Sequence, residues 1–237
     1  RAVSGVPSDR YYSSGQGNDA TEWRSVSLEA VRTFTGHGGA VHSVAFSPDG
    51  SAVASSSGDK TARIWNRGDG KEIRAINAHD SSVYTIAYNH DGSLLASGGF
   101  DRSVKIWKTA DGSMVKKLDG HGEGVFCLKF SADGQFIYSG SSDRTIRKWN
   151  AADGTQAAVL EGHPGWVCGI ALFPGDAKLE AIDYGGNLIT WRLADGKLTS
   201  HRKVPSVVYD LALSPDGKLV ATANLTGKAF ILEAEGK

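Results

Sequence analysis

The stretch SSDRTIRKWN, residues 141–150, sets Asp143 six positions ahead of Trp149 inside a run that otherwise has the β-branched and basic composition of a short strand. The same spacing returns in SGDKTARIWN at 57–66, with Asp59 and Trp65, and in GGFDRSVKIWK at 98–108, with Asp101 and Trp107. Tryptophans fall at 23, 65, 107, 149 and 191, each 42 residues after the last, and Leu232 arrives 41 residues later. Upstream of them recur GHGGAVHSVAFSPDG at 36–50, AHDSSVYTIAYNHDG at 78–92, GHGEGVFCLKFSADG at 120–134 and GHPGWVCGIALFPGD at 162–176. A fixed period of this length marks a chain built from stacked copies of one small unit. Each unit holds four short segments divided by Asp-Gly or Gly-rich turns, with no room for a helix. For residues 78–119 the pattern predicts strands at 83–88, 94–98, 103–107 and 114–118, a four-stranded antiparallel meander.

Composition narrows the function classes. The 237 residues are 40% hydrophobic and 22% charged, and 26 basic side chains balance 26 acidic ones. No net field recruits nucleic acid or an anionic membrane. The longest apolar run, around Val167 to Phe173, is far short of the roughly 20 residues a membrane helix needs. Cys127 and Cys168 lack CxxC spacing and a companion histidine pattern, so they read as buried free thiols, with neither a metal site nor a disulfide framework. No cofactor is indicated. The compartment stays open, with cytoplasm placed ahead of periplasm or secretion, and the oligomeric state is unknown.

These repeats resemble the WD40 family over nearly the whole chain, through the coincidence in register of the GH element, the turn aspartate and the strand-end tryptophan. The fold this implies is all-β, a propeller of four-stranded antiparallel blades with about six blades visible and a seven-bladed parent. The Trp-Asp dipeptide is not kept: the chain reads Trp65-Asn66, Trp107-Lys108, Trp149-Asn150 and Trp191-Arg192. The resemblance implies a buried hydrogen-bonded tetrad in three blades, made by His37, Ser55, Asp59 and Trp65, by His79, Ser97, Asp101 and Trp107, and by His121, Ser139, Asp143 and Trp149. Arg63, Lys105 and Arg147, two positions before each tryptophan, read as structural.

The outer units are degenerate. In 162–200 the Ser and Asp positions hold Ala181 and Gly185, in 201–237 Val204 replaces the histidine, and at the start Gly17 stands at the Asp position beside Ser13 and Trp23. The lowest local stability is expected there. Units at about 1–35, 36–77, 78–119, 120–161, 162–200 and 201–237 form one domain. The last unit has strands near 207–213, 219–223 and 228–232 and no fourth. The two ends do not complement cleanly, and the chain opens at Arg1 without a leader, so the expectation is a part of a longer protein.

Histidine, aspartate and serine are also the parts of a hydrolytic triad. Three copies, each tied to a burying tryptophan, read as staples, and no catalytic residue is assigned. Other motif matches read as bland: Asn224-Leu225-Thr226 as a chance glycosylation match, and Lys116-Lys117 and Arg202-Lys203 as solvated charge. Trp166 alone falls out of register, where other units carry Ala40, Ser82, Gly124 and Val207. It either anchors a partner or patches a weakened blade. Five residues after each GH histidine or its equivalent come His42, Tyr84, Phe126, Cys168 and Tyr209. Just before the turn aspartate or its equivalent come Gly58, Phe100, Ser142, Tyr184 and Leu225. The resemblance puts both sets on the loop face around a central channel. The partner-binding residues are therefore His42, Tyr84, Phe100, Phe126, Trp166, Tyr184 and Tyr209, and Lys60, Arg102 and Arg144 could favour an acidic or phosphorylated peptide. The function expected is a non-catalytic scaffold for a protein or peptide, without nucleic acid or membrane insertion. The alternative is a non-catalytic propeller within a larger enzyme or electron-transfer protein.

Overall fold

The computed structural model describes the backbone of residues 3–5, 11–16, 18–24, 29–214, 216–225 and 229–234. It describes side chains over 30–214, 216–225 and 229–234 together with Asn18 and Ala20. The chain divides into two compact units, Arg1–Asp119 and Gly120–Lys237. That division coincides with a repeat boundary, as expected where each repeat is a self-contained meander.

In the first unit, strands Val3–Gly5, Tyr11–Gln16, Asp19–Arg24 and Glu29–Phe34 make one antiparallel sheet. Val41–Phe46, Ala52–Ser57, Thr61–Asn66 and Glu72–Asn77 make the next, and Val83–Tyr88, Leu94–Gly99, Val104–Lys108 and Met114–Leu118 the third. The strands expected over 83–118 are met to within a residue at each end. Neighbouring sheets bury their faces on each other. Ala54, Ala62, Ile64 and Ile76 of one sheet share a core with Val83, Ile86, Leu95 and Trp107 of the next. The indole at the end of the third strand is therefore a wedge between sheets, and its large apolar body explains why the period is so strict. Arginines add a second tie at the turn that follows the third strand: Arg74 donates to the carbonyls of Ala110 and Asp111 in the following repeat, at 2.7 and 2.9 Å. Arg32, 42 residues earlier, donates to Gly68 O at 2.8 Å in the same way.

In the second unit, Val125–Phe130, Phe136–Ser141, Ile146–Asn150 and Gln156–Leu160 form a sheet. Val167–Leu172, Lys178–Asp183, Asn187–Arg192 and Lys197–Lys203 form another. Trp191 packs with Tyr138, Ile146 and Leu160 of the preceding sheet. The last sheet has three strands, Val208–Leu213, Leu219–Asn224 and Ala229–Glu233. The expectation of about six four-stranded blades is thus corrected to five, with the sixth repeat a three-stranded sheet among the described residues. Trp65, Trp107, Trp149 and Trp191 are all buried. The side chains of Ser13, Gly17 and Trp23, and Thr226 of the possible glycosylation triplet, lie outside the described residues. No helix among the described residues is long and apolar enough to cross a membrane.

One backbone device places the candidate site. Val41 faces Ser57 and Ser43 faces Ser56, so His42 is the extra residue of a β-bulge. The same bulge leaves Tyr84 between Val83 and Thr85, Phe126 between Val125 and Cys127, Cys168 between Val167 and Gly169, and Tyr209 between Val208 and Asp210. A bulge twists its strand and re-aims the side chain it carries.

Candidate functional site

The polar sets of the three regular repeats close into one directed chain. Trp65 Nε1 donates to Ser55 Oγ at 2.8 Å, Ser55 Oγ lies 2.7 Å from His37 Nε2, and His37 Nδ1 lies 2.9 Å from Asp59 Oδ2. The corresponding distances are 2.9, 2.8 and 2.8 Å through Trp107, Ser97, His79 and Asp101. Through Trp149, Ser139, His121 and Asp143 all three are 2.8 Å. An ionised carboxylate only accepts, so the histidine Nδ1–H points at aspartate and the bare Nε2 takes the serine proton, freeing Oγ to accept the indole N–H. Burial pushes the His37 imidazole down against the pull of Asp59, which keeps it neutral. Burial also opposes ionisation of Asp59, yet bonds from Thr61, His37 and the amides of Thr61 and Gly38 hold its carboxyl below the ordinary range.

A second hydroxyl residue, one that the repeat pattern did not single out, completes each set as its fifth member. Thr61 Oγ1 donates to Asp59 at 2.7 Å, Ser103 to Asp101 at 2.9 Å and Thr145 to Asp143 at 2.7 Å. The signal was present as a hydroxyl residue two positions after every turn aspartate. The connectivity is that of a nucleophilic triad, but Ser55, Ser97 and Ser139 are fully buried beneath their tryptophans. Among the described residues no three His, Cys, Asp or Glu side chains gather as metal ligands.

The repeat at 162–200 corrects a reading. Its turn carboxylate is not lost at Gly185 but supplied by Asp183, two residues earlier. Asp183 Oδ2 accepts from Gly165 N at 3.1 Å and lies 3.4 Å from His163 Nδ1, and its carboxylate also takes the Asn187 amide. Burial works against the charge, but bonds from His163 and Asn187 bring the Asp183 carboxyl down to about 2. With Ala181 in place of the serine, His163 Nε2 is buried without a hydrogen-bond partner. Arg202 is no solvated charge either: it pairs with the fully buried Glu180 and donates to Glu233 O at 2.5 Å.

The bulges bring the candidate residues into two clusters, one in each unit. In the first, His42 and Tyr84 have ring centroids 4.7 Å apart, and Phe100 meets Tyr84 edge-on at 6.1 Å. Gly58 borders this corner, where a Cβ would come into van der Waals contact with His42 Nε2 at 3.4 Å. Burial pushes the His42 imidazole down. In the second unit Trp166 lies parallel to Phe126 at 6.1 Å with 6° between planes, Tyr184 follows at 5.8 Å, and Tyr209 meets Tyr184 edge-on at 5.8 Å. Trp166 is 54% exposed, and Tyr184 and Tyr209 are also exposed. Cys168 turns inward instead, its Sγ 3.1 Å from Val208 O, and burial pushes its thiol up. The backbone couples the two site positions in each repeat: Tyr184 N donates to Trp166 O at 2.8 Å, as Phe100 N does to Ser82 O at 2.9 Å. Lys60, Arg102 and Arg144 are exposed and hold φ near +70°, so the turn itself constrains them.

The WD-domain, G-beta-repeat model matches residues 28–66, 70–108, 112–150 and 195–231, more than half of the sequence. The chain belongs to the WD40 family. WD40 domains are generally protein-binding modules, and the four-stranded antiparallel blades seen in both units are theirs. Similar curated proteins include the "Probable cytosolic iron-sulfur protein assembly protein Ciao1" of Anopheles gambiae, 50% identical over 42 residues, which are 18% of this chain and 12% of that protein. The "Vegetative incompatibility protein HET-E-1" of Podospora anserina is 49% identical over 49 residues, 21% of this chain and 3% of that one. The "B-type cell cycle switch protein ccs52B" of Medicago truncatula is 43% identical over 49 residues, 21% of this chain and 10% of that one. The WD40 chain thus aligns with about an eighth or less of each relative's length, so the likeness concerns the repeat.

Proposed function

We propose that this WD40 chain is a non-catalytic interaction platform that docks a peptide or protein domain through the aromatics of its bulges and adjoining loops. The contact is centred on Phe126, Trp166, Tyr184 and Tyr209 in the second unit; His42, Tyr84 and Phe100 form a candidate contact of their own in the first. The observation that carries this reading is Trp166. The repeat requires no indole there, the histidine beneath it already has Asp183, and the ring stacks on Phe126 while leaving half its surface to solvent. Contiguous exposed aromatic surface on a rigid scaffold is the usual mark of a partner site. The buried serines support the non-catalytic part, because a nucleophile sealed under an indole meets no substrate. Trp166→Ala and Phe126→Ala are the test: both retain the fold by circular dichroism and both lose capture of the cognate partner. Undiminished capture by the folded double variant rejects this face.

The single domain of six repeats, set within a longer protein and a seven-bladed parent, belongs to the same proposal. Ile231 is 70% exposed, whereas its repeat equivalent Ile64 is buried in a core shared with the next sheet. A further sheet of the same kind is the natural complement of that face. Matches confined to a small part of long relatives also suit a propeller carried within a larger protein, the second reading given above.

A further inference from the structure

We infer that the arc of Phe126, Trp166, Tyr184 and Tyr209 takes a proline-rich segment in the polyproline II conformation, an inference that rests on the docking reading of this arc. The first argument is the backbone inventory. Ser142 N donates to Gly124 O at 3.0 Å, Tyr184 N to Trp166 O at 2.8 Å and Leu225 N to Val207 O at 3.0 Å. At each repeat of this unit the loops beside the aromatics have already paired these main-chain groups with each other. A ligand that binds by adding a strand needs an open row of such groups, and none of these is open to it. A polyproline II segment needs none: it makes no internal hydrogen bonds, keeps its backbone solvated, and its prolines carry no N–H to satisfy.

Ring spacing is the second argument. Successive centroids lie 6.1, 5.8 and 5.8 Å apart. A polyproline II chain rises about 3.1 Å per residue, so roughly two residues cross each ring and about six span the arc. Pyrrolidine rings pack on aromatic faces, and the indole N–H and one phenol hydroxyl of the mutually bonded Tyr184 and Tyr209 pair are donors for the carbonyls that such a chain leaves unpaired. Both partners are stiff before they meet, which lowers the entropy cost of docking.

Charge is the third. In the loops that frame the arc the exposed charged residues, among those described, are Asp119, Glu123, Glu161 and Arg144, with Lys203 at the adjoining strand end. Three acidic side chains against two basic ones give no field for a phosphate backbone or a strongly acidic segment, and suit a ligand whose centre is uncharged.

Trp166 is itself the probe, because among the described side chains the other tryptophans, Trp65, Trp107, Trp149 and Trp191, are buried. The full chain is titrated with a blocked octaproline, a blocked Thr-Val octamer and dT8, and its tryptophan emission is read as the difference from Trp166→Phe. Saturable change with octaproline alone is expected, weakened about tenfold by Phe126→Ala and by Tyr209→Ala at unchanged circular dichroism. If Phe126→Ala does not fold, Tyr209→Ala carries the same comparison. A Thr-Val octamer that binds as well as octaproline overturns the polyproline inference and leaves docking at the arc intact. Binding of dT8 in its place overturns it in favour of nucleic acid. Silence from all three probes overturns it as well, while capture of the cognate partner by the alanine variants decides the docking reading separately.

Discussion

His163 Nδ1 lies 3.4 Å from Asp183 Oδ2, a carboxylate that enters from the end of the second strand instead of from the turn used by the regular repeats. The same histidine's Nε2 faces no hydroxyl, since Ala181 occupies the serine position. Ala181→Ser restores the acceptor between His163 and Trp191 at the cost of one small polar atom. It is expected to stabilise the chain by about 1 kcal/mol, the net value of a buried hydrogen bond. Urea unfolding followed by circular dichroism checks this, and a destabilised variant would contradict the inferred tautomer.

Ser97→Ala makes the opposite change. It strips both His79 Nε2 and Trp107 Nε1 of their common partner, bonded at 2.8 and 2.9 Å. With each orphaned buried group costing about 1–3 kcal/mol, a loss of about 2–4 kcal/mol is expected in the same assay.

Acid should unfold the protein in two stages. Burial holds the His37 and His79 imidazoles below their ordinary value of 6.5, despite Asp59 and Asp101. A folded value below the unfolded one means stability that is complete above pH 6.5 and lost as pH falls through the folded value. Asp59, Asp101, Asp143 and Asp183 are likewise depressed from 3.8, their hydrogen bonds outweighing burial, so their contribution is present above that value and lost below it. Thermal melts from pH 8 to pH 3 should show a level Tm above pH 7, a modest decline below 6.5 and a steep one below about 4. A Tm that rises from pH 7 to pH 5.5 would reverse the sign of the histidine contribution.

Lys60 sits at φ 74°, in the left-handed region. Asparagine tolerates that conformation and a β-branched side chain does not. Lys60→Asn is expected to be neutral within about 0.5 kcal/mol, and Lys60→Val to cost about 1–2 kcal/mol, both read from chemical denaturation. Equal losses in the two would remove backbone conformation as the cause.

Much of this architecture was legible in the sequence for one physical reason: each of the three regular repeats buries an indole and satisfies it with a serine, a histidine and an aspartate. Trp65, Trp107 and Trp149 with their partners therefore stood in plain register, and so did the strands of residues 78–119. The candidate positions were legible as places in the repeat, while their joining into rings in contact was not, because His42 and Tyr84, or Phe126 and Trp166, belong to different repeats about 40 residues apart. Tertiary structure alone decided three things. It set the bulges that aim those side chains, since the register between strands is a pairing property that no single strand carries. It allowed Asp183 to replace a missing turn residue, because a carboxylate is required at a point in space and a neighbouring strand can deliver it there. And it buried Glu180 beneath Arg202, a pair separated by 22 residues whose charges looked like ordinary surface until the sheet brought them together.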